Sequence, residues 1–123
     1  MSKGLSAVQR TLRALRDQGI ICETVERWNP HVGEHGIRQD LFSIIDILCL
    51  DTVDTIGVQC CTTDFKSHYE KLTIEKAQNS LDWLSSPYRK LQIWSWRKVK
   101  LKRGGKALRW TVKIREITIE DIQ

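Results

Sequence analysis

The sequence predicts a mixed α/β (α+β) domain with the element order αβββαββ. Two segments space their apolar residues with helical periodicity. Five other segments are short, rich in β-branched and aromatic residues, and bounded by turn residues. The second helix falls between the third and fourth strands, and such a crossover lets those two strands lie parallel while the others pair as hairpins. The expected product is one mixed sheet flanked by helices. At 123 residues the chain is read as a single domain, 1–123.

Leu5, Val8, Leu12 and Leu15 follow helical spacing, so residues 6–18 read as an amphipathic helix. Ser6 with Gln9 fits a capping box, and Gly19 ends the helix. Residues 20–28, Ile20-Ile21-Cys22-Glu23-Thr24-Val25-Glu26-Arg27-Trp28, read as the first strand. Residues 29–36 carry Asn, Pro and Gly and read as a loop. The runs 42–50 and 55–61 read as a hairpin around Asp51-Thr52-Val53-Asp54. Residues 65–85 read as the second helix, with apolar stripes at Phe65, Tyr69, Leu72 and at Ile74, Ala77, Leu81, Leu84. The second stripe is shifted around the axis, which predicts a kink near Thr73; Ser85-Ser86-Pro87 stops the helix. Residues 91–97 are apolar on both faces, Leu91 and Ile93 against Trp94 and Trp96, as a covered central strand is. Residues 98–106 form a basic loop with Gly104-Gly105 at its tip, and alternation from Leu108 to Arg115 gives a half-solvated last strand with a basic outer face.

Asp46 interrupts the apolar run 42–50. Asp is depleted in strands, and a carboxylate among aliphatics must be paired, protonated or bound to a metal. If Leu50 pairs with Thr55, Asp46 lies opposite Gln59, with Cβ atoms about 5 Å apart on one face. Such an acid and amide form a small oxygen-rich site. The plain alternative pairs Asp46 with Arg38 or another buried cation and gives the Gln59 amide to nearby backbone.

Net charge is +5. Lys98, Lys100, Lys102, Arg103 and Lys106 crowd one segment, and Arg10, Arg13 and Arg16 recur along the first helix. A clustered positive field points to a polyanionic partner. Trp28, beside the loop, offers a base-stacking surface. The 4 cysteines, Cys22, Cys49, Cys60 and Cys61, have no CxxC spacing and read as buried reduced thiols, and with His31, His35 and His68 they fit no standard zinc spacing. No apolar run approaches membrane-spanning length. With no apolar signal core after Met1-Ser2-Lys3-Gly4, the expectation is an intracellular, cytoplasmic protein.

The element order and the local text resemble the PD-(D/E)XK, restriction-endonuclease-like superfamily. Residues 36–48 are similar to the approach to that family's metal-binding aspartate, and Gly57-Val58-Gln59-Cys60-Cys61 to its (D/E/Q)-x-K strand, in the glutamine variant of Holliday-junction-resolvase-like and VRR-NUC-like branches. Small nuclease-like proteins of phages and mobile elements share the arrangement. The resemblance implies Asp46, Gln59 and the carbonyl of Cys60 as ligands of Mg²⁺ or Mn²⁺, and DNA as substrate. The family's lysine falls at Cys61, and its first-helix glutamate near Gln9. Related branches carry the lysine on the following helix, where Lys66 and Lys71 stand, and Glu26 or Asp40 then takes the place of the helix acid.

Two functional readings follow. In the first, the chain binds nucleic acid through Arg10, Arg13, Lys98, Lys100, Lys102, Arg103 and Lys106 and acts as a metal-dependent nuclease or a degenerate relative of one. In the second, it is a non-catalytic interaction or anti-defence module of phage type that binds a host protein. A homodimer is one way for so small a chain to complete the walls of a site.

Overall fold

The structure is a computed structural model that describes residues 4–123. Helix α1 spans Ala7–Asp17, and Ser6 and Gln9 close the expected capping box on each other's backbone N–H. Thr11 and Leu15 are its buried residues. Thr11 is satisfied twice: its hydroxyl donates to Ala7 O and accepts from the indole N–H of Trp96 at 2.8 Å. Gly19, at φ 79°, takes the left-handed turn that follows the helix.

The strands are β1 (Ile21–Thr24), β2 (Arg27–Asn29), β3 (Ile37–Gln39), β4 (Ile47–Asp51), β5 (Asp54–Cys61), β6 (Arg89–Lys100) and β7 (Leu108–Ile117). A five-stranded mixed sheet has the order β1-β4-β5-β6-β7, and β2 and β3 form a separate hairpin. Leu50 pairs with Thr55 across the β4–β5 turn, as predicted. Strands β5 and β6 are parallel, and every other pair in the sheet is antiparallel. The crossover between the parallel strands is helical, in three pieces: α2 (Phe65–Glu70), a π-helical turn (Lys71–Glu75) and α3 (Ala77–Trp83).

Strand β6 is central, and its two faces build two cores. Trp94 and Trp96 pack with Leu15, Cys22, Ile47, Cys49, Val58 and Cys60 beneath α1. Leu91 and Ile93 pack with Ile44, Ile45, Cys61, Leu72, Trp83 and Ile117 beneath the crossover. Among the described residues no helix is long and apolar enough to cross a membrane.

Three sequence expectations are corrected. The single strand over 20–28 is two short strands, broken at Val25 and Glu26: Val25 N–H still bonds Asp46 O at 3.0 Å in the β1–β4 register, and beyond it β2 turns away to pair with β3. The strand over 42–50 begins only at Ile47. Phe42 and Ser43 have positive φ, 52° and 64°, in a tight turn closed by Ser43 N–H to Asp40 O and Ile45 N–H to Leu41 O. The long helix is interrupted around Thr73 by an extra-residue turn, with Lys76 N–H on Lys71 O. That added residue rotates the second apolar stripe: Ile74 faces solvent, and Thr73, Ser80 and Trp83 are buried instead. The Thr73 and Ser80 hydroxyls donate to Tyr69 O and Leu72 O at 2.7 Å, so burial leaves neither unpaired.

Candidate metal and nucleic-acid site

The Phe42–Ile45 turn moves Asp46 out of the strand to its entrance. Ile47 opposite Val58 is the last pair of the β4–β5 ladder. Beyond it the Asp46 carboxylate substitutes for a backbone acceptor and takes the Cys60 N–H at 2.8 Å. The same turn brings back Asp40, and the end of β1 delivers Glu26. One carboxylate oxygen from each of Glu26, Asp40 and Asp46 lies within 4.8 Å of the other two. Arg38, the alternative partner for Asp46, is mostly exposed and faces Glu26 at 4.0 Å.

Gln59 does not bond Asp46 directly. Its amide donates to Asp40 Oδ2 at 3.2 Å and to Ile44 O at 3.0 Å. Its Oε1 accepts from Lys71 Nζ at 3.2 Å and lies 2.9 Å from His68 Nδ1. Lys71 Nζ also reaches Asp40 Oδ2 at 2.9 Å. Asp40 therefore joins the acids just outside β1 and β4 to the amide on β5 and the ammonium of the crossover.

The electrostatics divide the two central carboxyls. Burial, then the hydrogen bond with Asp40, pushes Asp46 up to about 8, against which the Cys60 N–H acts only in part. Burial also opposes ionisation of Asp40, but its hydrogen bonds with Asp46, Lys71 and Gln59 outweigh that and hold its carboxyl below the usual range. At neutral pH the pair shares one proton, carried by Asp46 and facing an ionised Asp40. Three converging carboxylates are hard oxygen donors of the kind that hold Mg²⁺ or Mn²⁺.

Of the two helix lysines, Lys71 enters the site. Lys66 stays exposed on α2, 3.9 Å from Glu70. Cys60 contributes its N–H to Asp46, and its side chain packs in the core on the α1 side. Cys61 lies in the opposite core, where burial raises its thiol above the ordinary value. Cys61 offers no ammonium, and the positive charge beside Asp40 and Gln59 is that of Lys71 from the crossover. The first-helix position, Gln9, is used by the cap at Ser6. His68 reads from sequence as a surface residue; the signal for it was the spacing Asp64, His68, Lys71 at i, i+4 and i+7, one helix face, which excludes Lys66.

A groove of about 300 Å³ beside Glu26 is lined by Val8, Thr24, Glu26, Arg27, Trp28 and Arg38. Trp28 is 57% exposed there. Strand β6 pairs with β5 only as far as Ser95 opposite Cys61, while it continues against β7 to Lys100. The residues beyond are a two-stranded arm that leaves the sheet at the end where β5 delivers Gln59 and Cys61. The arm carries Lys98 and Lys100, and its tip carries Lys102, Arg103 and Lys106. Arg10 joins it at the base: its guanidinium lies 3.9 Å from the Trp110 ring centre, and Lys98 Nζ lies 5.3 Å from the same ring. Arg13 lines an adjacent shallow surface with Arg10 and Trp96.

Comparison of the chain with protein-family models, with curated proteins and with solved structures finds no significant match.

Proposed function

We propose that this chain is a nucleic-acid-binding protein of restriction-endonuclease-like architecture that cleaves DNA phosphodiester bonds with Mg²⁺ or Mn²⁺. The observation that carries the reading is the meeting of Lys71 with Asp40 and Gln59 beside Asp46 and Glu26. An acidic trio, an amide and an ammonium converge from four separate segments, although the motif position itself holds Cys61. The strand order and the parallel β5–β6 pair support the architecture.

Asp46, Asp40 and Glu26 would hold the cation, with the Asp46 proton released to solvent. When bound, the cation supplies a Lewis acid and an acidified water. Gln59 fixes Asp40 through its amide and Lys71 through its carbonyl oxygen. The Asp46 hydrogen bond and Lys71 together keep Asp40 ionised, and Lys71 provides the positive charge that would face a phosphate oxygen. The arm and Arg10 grip backbone phosphates, which positions DNA without reading its sequence.

The test is incubation with single-stranded, duplex and branched DNA plus Mg²⁺ or Mn²⁺. Cleavage by the wild type is expected, with loss of at least about a hundredfold, the scale of a lost charge-stabilising group, in Asp46→Ala and Lys71→Ala. Cleavage that survives in Asp46→Ala removes the proposed site. DNA binding without cleavage by any of the proteins replaces the enzyme with a binding module, and no DNA affinity together with one stoichiometric protein partner selects the interaction module.

A further inference from the structure

A second cluster lies on the other side of Gln59. Ligand atoms of Cys61, Asp64 and His68 all fall within 4.8 Å of one another. Cys61 ends β5, Asp64 precedes α2, and His68 lies one helical turn further on. We propose that these three residues bind a borderline-soft divalent cation of the Zn²⁺ class, separate from the hard-cation site of Glu26, Asp40 and Asp46.

Three features of the geometry carry it. First, a tetrahedral centre with N and O ligands about 2.0–2.1 Å out separates those two atoms by about 3.3–3.4 Å. Asp64 Oδ2 and His68 Nε2 are 3.3 Å apart. A thiolate at about 2.3 Å completes the face at roughly 3.6 Å from the nitrogen, a short closing movement for a sulfur already within 4.8 Å. Second, His68 has the support that a ligating histidine needs. Its Nδ1 lies 2.9 Å from Gln59 Oε1, an oxygen that can only accept. Nδ1 is then the protonated nitrogen, and the Nε2 lone pair faces Asp64. Third, the access and charge fit a cation. Asp64 is exposed and Cys61 is buried, so an ion enters from the Asp64 side and seats against the sulfur. Cys61 loses its proton to solvent on binding, and thiolate plus carboxylate then neutralise a divalent ion. Three protein ligands leave a fourth position for water.

The thiolate separates the two sites chemically. Sulfur and imidazole select zinc-like ions, and the all-oxygen trio selects Mg²⁺ or Mn²⁺. Gln59 touches both, since Oε1 faces His68 and the amide faces Asp40. A zinc-class ion that locks the His68 ring also locks the Gln59 amide that orients Asp40.

Co²⁺ titration of the reduced full chain tests this. Wild type is expected to give a thiolate-to-cobalt charge-transfer band that saturates at one equivalent and is bleached by Zn²⁺. Asp46→Asn keeps the band, and Cys61→Ser loses it. Asp64→Asn and His68→Gln weaken Co²⁺ by at least about tenfold. No band in the wild type, or a band unchanged in Cys61→Ser, overturns the site and leaves Asp64 and His68 as a simple i, i+4 pair. If Cys61→Ser does not fold, the exposed Asp64→Asn decides: unchanged Co²⁺ affinity sinks the proposal. Because Asp46→Asn is carried alongside and the band does not depend on DNA cleavage, failure here is distinct from failure of the nuclease reading.

Discussion

Asp46 is the residue on which the proposed chemistry turns, because burial keeps it protonated while Asp40 beside it is ionised. The consequence for stability has a definite sign. The unfolded chain gives up this proton near 3.8 and the folded chain near 8, so between those values the folded state binds more protons. Stability from this group is full below the lower value and falls as pH rises, with a slope of at most about 1.4 kcal/mol per pH unit. Asparagine at 46 mimics the protonated acid, able to accept from Cys60 N–H and to donate to Asp40. Asp46→Asn is therefore expected to match the wild-type melting temperature in mild acid and to exceed it by several degrees in mild base. Parallel Tm curves for the two proteins across that range would contradict the shared-proton pair.

At the scale of elements, the site depends on irregular segments held by tightly packed regular ones. The left-handed Phe42–Ser43 turn lets Asp40 and Asp46 face each other, and Asn79 of α3 steadies it by donating to Phe42 O at 2.9 Å. Ile45, at the end of that turn, lies directly over Gly57 of β5. A Cβ on Gly57 would stand 2.6 Å from Ile45 Cδ1 and 3.4 Å from the Trp83 ring. Ile45 is fully buried and has little room to yield. Gly57→Val is expected to cost about 1–3 kcal/mol by overpacking, measured by urea denaturation, and to weaken Mg²⁺ binding as the turn shifts. Wild-type stability in this variant would mean that the turn can move freely over β5. The π-helical turn matters in the same way: it starts at Lys71, and such turns recur at functional sites.

At the scale of the whole molecule, the parallel register places the basic arm and the acidic site at one end of the sheet. On the proposed reading, phosphates held by the arm would lie toward the acidic site. Each neutralised phosphate releases counterions, so five arm cations predict a slope of about −4 to −5 in log K against log[salt] for duplex DNA. Replacing Lys102, Arg103 and Lys106 with Ala should reduce the magnitude of that slope by about 2–3 while leaving the fold intact, since all three are exposed at the arm tip. A salt-independent affinity, or a slope unchanged in the triple variant, would remove the arm from the interface.

Features that depend on neighbours along the chain are legible without the tertiary structure. The Ser6–Gln9 cap, the stop at Gly19, the Leu50–Thr55 register, the two apolar faces of β6 and the parallel crossover are all written in local spacing and turn chemistry. The break in the crossover near Thr73 was legible as a shift of stripe, but its π geometry was not, so the outward turn of Ile74 was missed. Tertiary structure alone decided three things. Buried Ile44 and Ile45 force an apolar run into a turn at residues without glycine's freedom. Asp40 gathers partners 19 and 31 residues away, Gln59 and Lys71. Lys71 enters the site where Lys66 does not. The physical reason is common to all three: the cost of a left-handed backbone or a buried charge is local, and the packing and ion pairing that offset it come from segments far apart in sequence.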